Sequence, residues 1–273
     1  MLKQRVFTAL AIGPLSLVLL FTLTGLSFAI FVGFVILLGA WEWANLSSVE
    51  SLWGRLVYTL VIMGGMAAAG LTAVAQQSWP LWVALVTWLV CCCWVSAYPA
   101  AKGMWRLRAV RLLLGVLVMV PSWIGLTQLR AAVSPTSGFA WWLLYVLFII
   151  WGADISAYFA GKAFGKRKLA PRVSPGKSWA GVYGALAGTA FLSCLMDIIQ
   201  KYDLHQGVIL LGITWLVTLI SVVGDLLESM LKRYRGLKDS SQLLPGHGGM
   251  LDRIDSLLAA IPVFALFLPL LTH

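Results

Sequence analysis

Between Ser221 and Asp255 the chain reads SVVGDLLESMLKRYRGLKDSSQLLPGHGGMLDRID, which places Asp225, Glu228, Lys232, Arg233, Arg235, Lys238, Asp239, Asp252, Arg253 and Asp255 in one short stretch. Only 11% of the chain is charged, yet half of its ten acids fall here. Carboxylates that can hold a divalent cation, beside Lys and Arg that can hold phosphate, are what phosphoryl-group chemistry needs, because that chemistry is mainly positioning and charge stabilisation. Asp225, Glu228, Ser229 and Lys232 are spaced to lie along one side of a helix. After a loop, His247-Gly248-Gly249 precedes Asp252, Arg253 and Asp255 at the start of another helix, and the glycines let backbone approach a ligand closely. Asp252 and Asp255 can equally be partners of that helix's dipole. Two acids from different helix ends meeting in one pocket would offer oxygen ligands to Mg²⁺, which takes one or two carboxylates plus substrate phosphates.

A second constellation begins at Asp154, which shares a helix face with Tyr158, and continues into a loop, GKAFGKRKLAPRVSPGKSWAG, that carries Lys166, Ser174, Lys177 and Ser178. Its glycines and basic side chains would let amides and ammonium groups approach phosphate together. Pro175-Gly176-Lys177-Ser178 is no Walker motif, since the first glycine is missing and no strand is expected before it. The loop is either an anion-binding element of another kind or a cluster of charge that sets topology. Glu42, between Trp41 and Trp43 near a helix end, is open to a structural or a catalytic reading, and Asp197 lies near the opposite face.

These residues need a scaffold, and composition says which. With 60% hydrophobic residues and a mean hydropathy of +0.90, the chain is far more apolar than a soluble domain. It reads as a single all-α, polytopic membrane domain of about nine transmembrane helices, near 6–23, 27–46, 56–75, 79–98, 110–129, 139–159, 178–199, 207–228 and 255–271. Residues 1–135 form a helical scaffold in this reading and 136–273 the catalytic helices and loops. With the amino terminus cytoplasmic, every Lys and Arg except Arg130 and Lys201 falls on the cytoplasmic side, which puts the polar site on that face. The same distribution accounts for the net charge of +10 without a nucleic-acid partner. Cys91, Cys92, Cys93 and Cys194 have neither disulfide nor zinc spacing. The small residues of the Gly64–Gly70 run, and Gly181, Gly184 and Gly188, suit close helix packing. Trp79, Trp82, Trp141, Trp142 and Trp179, near span ends, read as interfacial anchors. The length and the lack of targeting extensions suggest a bacterial inner membrane.

The run Ser229-x-Leu231-Lys232-Arg233, then Lys238-Asp239, then Leu244-Pro245-x-His247-Gly248-Gly249-Met250-x-Asp252-Arg253-Ile254-Asp255, resembles the signature of the phosphatidate cytidylyltransferase (CDP-diacylglycerol synthase) family. Ser174-Pro175-Gly176-Lys177-Ser178-Trp179 is similar to a second family element, which usually has Thr at the position of Ser178. Both motifs lie in the second half; the first five spans match in hydropathy alone. The resemblance implies transfer of the CMP moiety of CTP to phosphatidic acid, giving CDP-diacylglycerol and pyrophosphate, with Mg²⁺, in a homodimer. It implies that Asp225 and Asp252 hold the metal, with Asp255 a further candidate and a monovalent cation such as K⁺ a candidate companion. Lys232 and Arg233 would act beside them. Asp154, Lys166, Ser174, Lys177, Ser178, Lys238, His247, Gly248, Gly249 and Arg253 are the candidates for binding CTP and phosphate, with His247 open to service as a phosphate donor, a base or a loop-shaping residue.

Two other classes are weighed against this. A CTP-dependent lipid kinase would share nucleotide and metal but need a base to deprotonate a hydroxyl. A transporter would place its polar site near the bilayer midplane, often between paired repeats; the charges here gather at one face, and no repeat is visible.

Overall fold

The computed structural model describes residues 13–99, 103–132, 140–244 and 246–272. Lys3, Arg5, Lys102 and Pro245 lie outside the described residues, as does the first part of the expected 6–23 span. The helices are α1 (Gly13–Thr22), α2 (Gly25–Leu46), α3 (Leu52–Leu71), α4 (Trp79–Ala97), α5 (Arg108–Ala131), α6 (Trp141–Phe164), α7 (Trp179–Gln200), α8 (Leu204–Tyr234), α9 (Leu251–Phe267) and the short α10 (Pro269–Thr272). Among the described residues seven helices, α2 to α8, are long and apolar enough to cross a membrane; α1 and the 17-residue α9 are shorter. The protein is an all-α polytopic membrane protein. Helices are the outcome because lipid offers backbone groups no partner.

α9 is the centre of the bundle. Every residue from Leu258 to Leu266 is buried, against α5, α8 and α4, so this helix is apolar all round because protein surrounds it, not lipid. α8 has 31 residues and is therefore about 46 Å long, against roughly 30 Å of hydrocarbon. Asp203 caps its start through the Gln206 amide at 2.8 Å, and its Asp, Glu, Lys and Arg residues are confined to the Asp225–Tyr234 end. That end meets the start of α9 through Lys232 and Asp252.

The glycines assigned to packing do pack. A methyl at Gly184 would strike Ala160 and Ser156 of α6, and one at Gly65 or Gly70 would press on Val120 or Trp123 of α5; Gly64 alone in that group faces open space. Of the five tryptophans, Trp79, Trp82, Trp141 and Trp179 are exposed, as anchors should be. Trp142 is not: it is 8% exposed and packs on Tyr145 and Phe264, so it belongs to the core.

The basic loop between α6 and α7 holds the two-stranded sheet found among the described residues, which the sequence did not suggest. It forms an antiparallel hairpin of β1 (Lys168–Ala170) and β2 (Ser174–Ser178), paired Lys168 to Ser178 and Ala170 to Ser174. Neither strand alternates apolar and polar residues, which is the signal a strand normally gives. The hairpin is fixed instead by buried Val173, whose carbonyl accepts from Arg233 Nε at 3.3 Å, and by the Trp179 amide donating to Arg167 O at 3.0 Å.

Candidate active site

The polar end of α8 carries its side chains as the spacing predicts. Ser229 Oγ donates to Asp225 Oδ1 at 3.2 Å, and Lys232 Nζ donates to Glu228 Oε2 at 2.5 Å, one helical turn apart in each case. Tertiary structure adds the cross-links. Lys232 also reaches Asp252 Oδ1 on α9 at 2.6 Å, so its ammonium, on a side chain 12% exposed, is clamped between two helices. Lys177, at the end of β2, lies 2.7 Å from Asp225 Oδ2. Gly224 lets α8 approach: a methyl there would meet Asp255 O at 2.7 Å. The carboxylate of Asp255 consequently feels Asp225, and Glu228 feels both Asp255 and Asp252.

Asp252 also organises the loop that precedes it. Its Oδ2 accepts from the Ser240 amide at 3.0 Å, the Ser240 hydroxyl at 2.9 Å and the Gly249 amide at 2.7 Å. Gly248 has a φ of 83°, and a methyl there would sit 2.7 Å from Asp252 Oδ2, so glycine is required on both counts. Behind this loop lies a residue from the first half of the chain. Glu42, on α2 and 2% exposed, accepts from Ser240 Oγ (2.9 Å), Ser241 Oγ (2.6 Å), Met250 N (3.0 Å) and Leu251 N (2.7 Å). The last two amides are orphan donors at the start of α9, and the carboxylate satisfies them while meeting the dipole. Of the two readings open for Glu42, the structure decides for a carboxylate that holds the loop. Its one sequence signal is being the first acid in the chain, set inside an apolar run. Ser240 and Ser241 carried no signal.

The remaining candidates are placed less centrally. Ser178 is buried, caps α7 by accepting from the Gly181 amide at 3.2 Å, and lines a cavity of about 350 Å³ with Asp154, Tyr158, Lys162, Gly176 and Lys177. Ser174 begins β2. Arg253 donates from Nε (3.1 Å) and Nη2 to His247 O, and both residues line a second, apolar cavity of about 450 Å³ between α1, α2, α5, α6 and α9. Arg233, Lys166 and Lys238 are exposed, and none of them lines either cavity. The first cavity meets the carboxylates at Asp154 and at Lys177, the partner of Asp225, and the second is lined by Arg253, the residue after Asp252.

A family model described as "Cytidylyltransferase family" matches residues 3–271. This chain belongs to the cytidylyltransferase family. The match covers the scaffold half as well as the motif half, so α1 to α5 are family structure too. Among individual relatives, the protein named phosphatidate cytidylyltransferase from Pseudomonas aeruginosa is 48% identical over 98% of this chain and 97% of its own length. Its namesake from Haemophilus influenzae is 39% identical over 98% of both chains, and that from Brucella abortus 32% identical over 97% of this chain and 93% of its own.

Whether a family member built this way suits Mg²⁺ can be tested on its charges. Asp154, Asp225, Glu228, Asp252 and Asp255 are set against two ammonium groups, Lys177 and Lys232, and the buried Glu228 Oε1 has no hydrogen-bond partner. Hard oxygen donors in excess of cations suit a divalent ion. Among the described residues no three Asp, Glu, His or Cys side chains come together as a metal-holding group.

Proposed function

We propose that this protein is a phosphatidate cytidylyltransferase: it transfers the cytidylyl group of CTP to phosphatidic acid, releasing pyrophosphate. The observation that carries the reading is the Lys232–Asp252 clamp, which draws the two halves of the motif into one polar site at the end of an apolar bundle. Relatives of that name, similar over nearly the whole chain, support the substrates. The bias of Lys and Arg toward one set of loops supports a cytoplasmic amino terminus and active site, the bacterial relatives support an inner membrane, and the motif resemblance supports a homodimer.

The phosphatidate phosphate is already an anion, so no strong base is needed. One of its oxygens attacks the α-phosphorus of CTP, and the bond from that phosphorus to the bridging β-phosphate oxygen breaks, with the electron pair leaving on pyrophosphate. The obstacle is the approach of two anions. Asp225 and Asp252, with Asp255 adjoining, are the residues to hold Mg²⁺, which when bound would offset charge on the triphosphate and on the leaving group. K⁺ beside it is a further proposal. Of the two lysines on the cavity beside the hairpin, Lys162 and Lys177, Lys177 is the one paired with Asp225; it is the donor best placed for the triphosphate.

Purified protein given labelled CTP, phosphatidate and Mg²⁺ should yield labelled CDP-diacylglycerol and pyrophosphate, and none after chelation. Formation of CDP with a newly phosphorylated lipid would instead establish a kinase. Uptake into proteoliposomes without turnover would establish a transporter. Lys177→Ala should raise the KM for CTP by about 10- to 100-fold, the worth of one charge-assisted phosphate contact. An unchanged KM would return the hairpin to a topological role.

A further inference from the structure

We propose that the apolar cavity between α1, α2, α5, α6 and α9 seats an acyl chain of phosphatidate, and that Arg253 at its mouth binds the lipid's phosphate and not CTP. This rests on the functional reading above and divides its site between the two substrates. The walls are supplied by residues such as Leu20, Val35, Leu126, Leu147 and Leu257, and Arg253, which is on the lining and exposed, marks the opening. A volume of about 450 Å³ is within the usual range for a ligand seat, roughly 300–1,000 Å³. Its depth fits as well. The lining runs along α9 from Met250 to Leu258, about 12 Å by helical rise, close to half of the roughly 30 Å hydrocarbon layer. A chain entering from one leaflet would find an apolar slot of that leaflet's depth.

The mouth is built for a phosphomonoester. Two of the five guanidinium donors of Arg253 are spent on His247 O, which fixes the group in place and leaves the others available. His247 Nδ1, buried beside it, has no hydrogen-bond partner. Neighbouring residues on a helix point about 100° apart, so Asp252 turns to Lys232 on α8 while Arg253 turns to the cavity. A phosphate held by Arg253 therefore sits beside Asp252 but on another face of α9, while Lys177 lines the other cavity. In-line displacement demands this division, since nucleophile and leaving group must occupy opposite sides of the α-phosphorus.

The test uses full-length protein and phosphatidate bearing a diazirine at the end of one acyl chain, irradiated without CTP. Labelled peptides should come from α2, α5 and α9 around Val35, Leu126 and Leu257, with competition by unlabelled phosphatidate and none by phosphatidylcholine of the same chains. Label on the exposed faces of α3 or α7, or equal competition by phosphatidylcholine, would overturn the proposal. In turnover assays Arg253→Gln should raise the KM for phosphatidate by about 10- to 100-fold and leave that for CTP unchanged; a rise confined to CTP would sink the division of the site. Leu257→Trp, which fills the cavity, should lower turnover of long-chain phosphatidate and spare the dioctanoyl lipid, and equal loss with both would count against the seat. Cross-linking needs no catalysis, so wild-type protein that takes up label in the cavity yet forms no CDP-lipid would refute the cytidylyltransferase reading and leave the lipid seat standing.

Discussion

Asp252→Asn is expected to lower CDP-diacylglycerol formation by on the order of 1,000-fold, the scale set by leaving a buried ionic partner uncompensated. Asp252 is surrounded by donors: Lys232 at one oxygen, and the Ser240 amide, the Ser240 hydroxyl and the Gly249 amide at the other. An asparagine must turn its NH₂ toward one of those sides, so a donor faces a donor whichever way it settles. If the NH₂ meets Lys232, the ammonium is left with Glu228 and the link between α8 and α9 is lost. If it meets Gly249 and Ser240, the loop opens. Either way an oxygen proposed to hold the metal is removed. Initial rates at saturating CTP and lipid, with size-exclusion chromatography showing an intact particle, measure the effect. Activity near wild type would remove Asp252 from the chemistry, and with it the proposed ion site. Asp225→Asn is expected to act in the same direction, because Asp225 partners Lys177 and Ser229 beside that site.

Glu42→Ala should reduce kcat by about 100-fold, although its carboxylate is not proposed to touch either substrate. Its effect runs through Ser240, whose hydroxyl lies 2.9 Å from both Glu42 Oε2 and Asp252 Oδ2, and through the amides that start α9. Without the carboxylate the Met250 and Leu251 amides lose their acceptor, at about 1–3 kcal/mol each, the Ser240 hydroxyl is left with Asp252 alone, and the loop relaxes. A displacement of about 1 Å at a reacting group is enough for the stated loss. Because Lys177 is held from another element, the KM for CTP should change little, and the damage should fall on kcat. Glu42→Gln retains one acceptor oxygen and should recover part of the rate. Loss of folded protein without a fall in kcat for the surviving fraction would make Glu42 a stabiliser only.

Much of this was legible beforehand, and for identifiable reasons. Membrane insertion follows from summed hydropathy, which needs no fold. Helix follows from the lack of backbone partners in lipid. The face shared by Asp225, Glu228, Ser229 and Lys232 follows from the helical repeat, and Ser229–Asp225 and Lys232–Glu228 are paired as that repeat requires. The motif around Asp252 could be read because its residues are close in sequence.

What the sequence could not say is which of those residues are joined across space. Period and hydropathy describe a helix against an average environment, so α9, enclosed by protein, reads the same as a helix facing lipid, and Trp142 reads like the anchoring tryptophans. The hairpin is held by Arg233 and Val173, partners far apart along the chain. Glu42 lies about two hundred residues from the loop it secures and is disclosed only when α2 and α9 pack. Composition and repeat thus determined the chemistry on offer and the apolar bundle that carries it. The close approach of α2, α8 and α9 decided the geometry, since hydrogen bonds and ion pairs depend on distances of a few ångströms that no local pattern encodes.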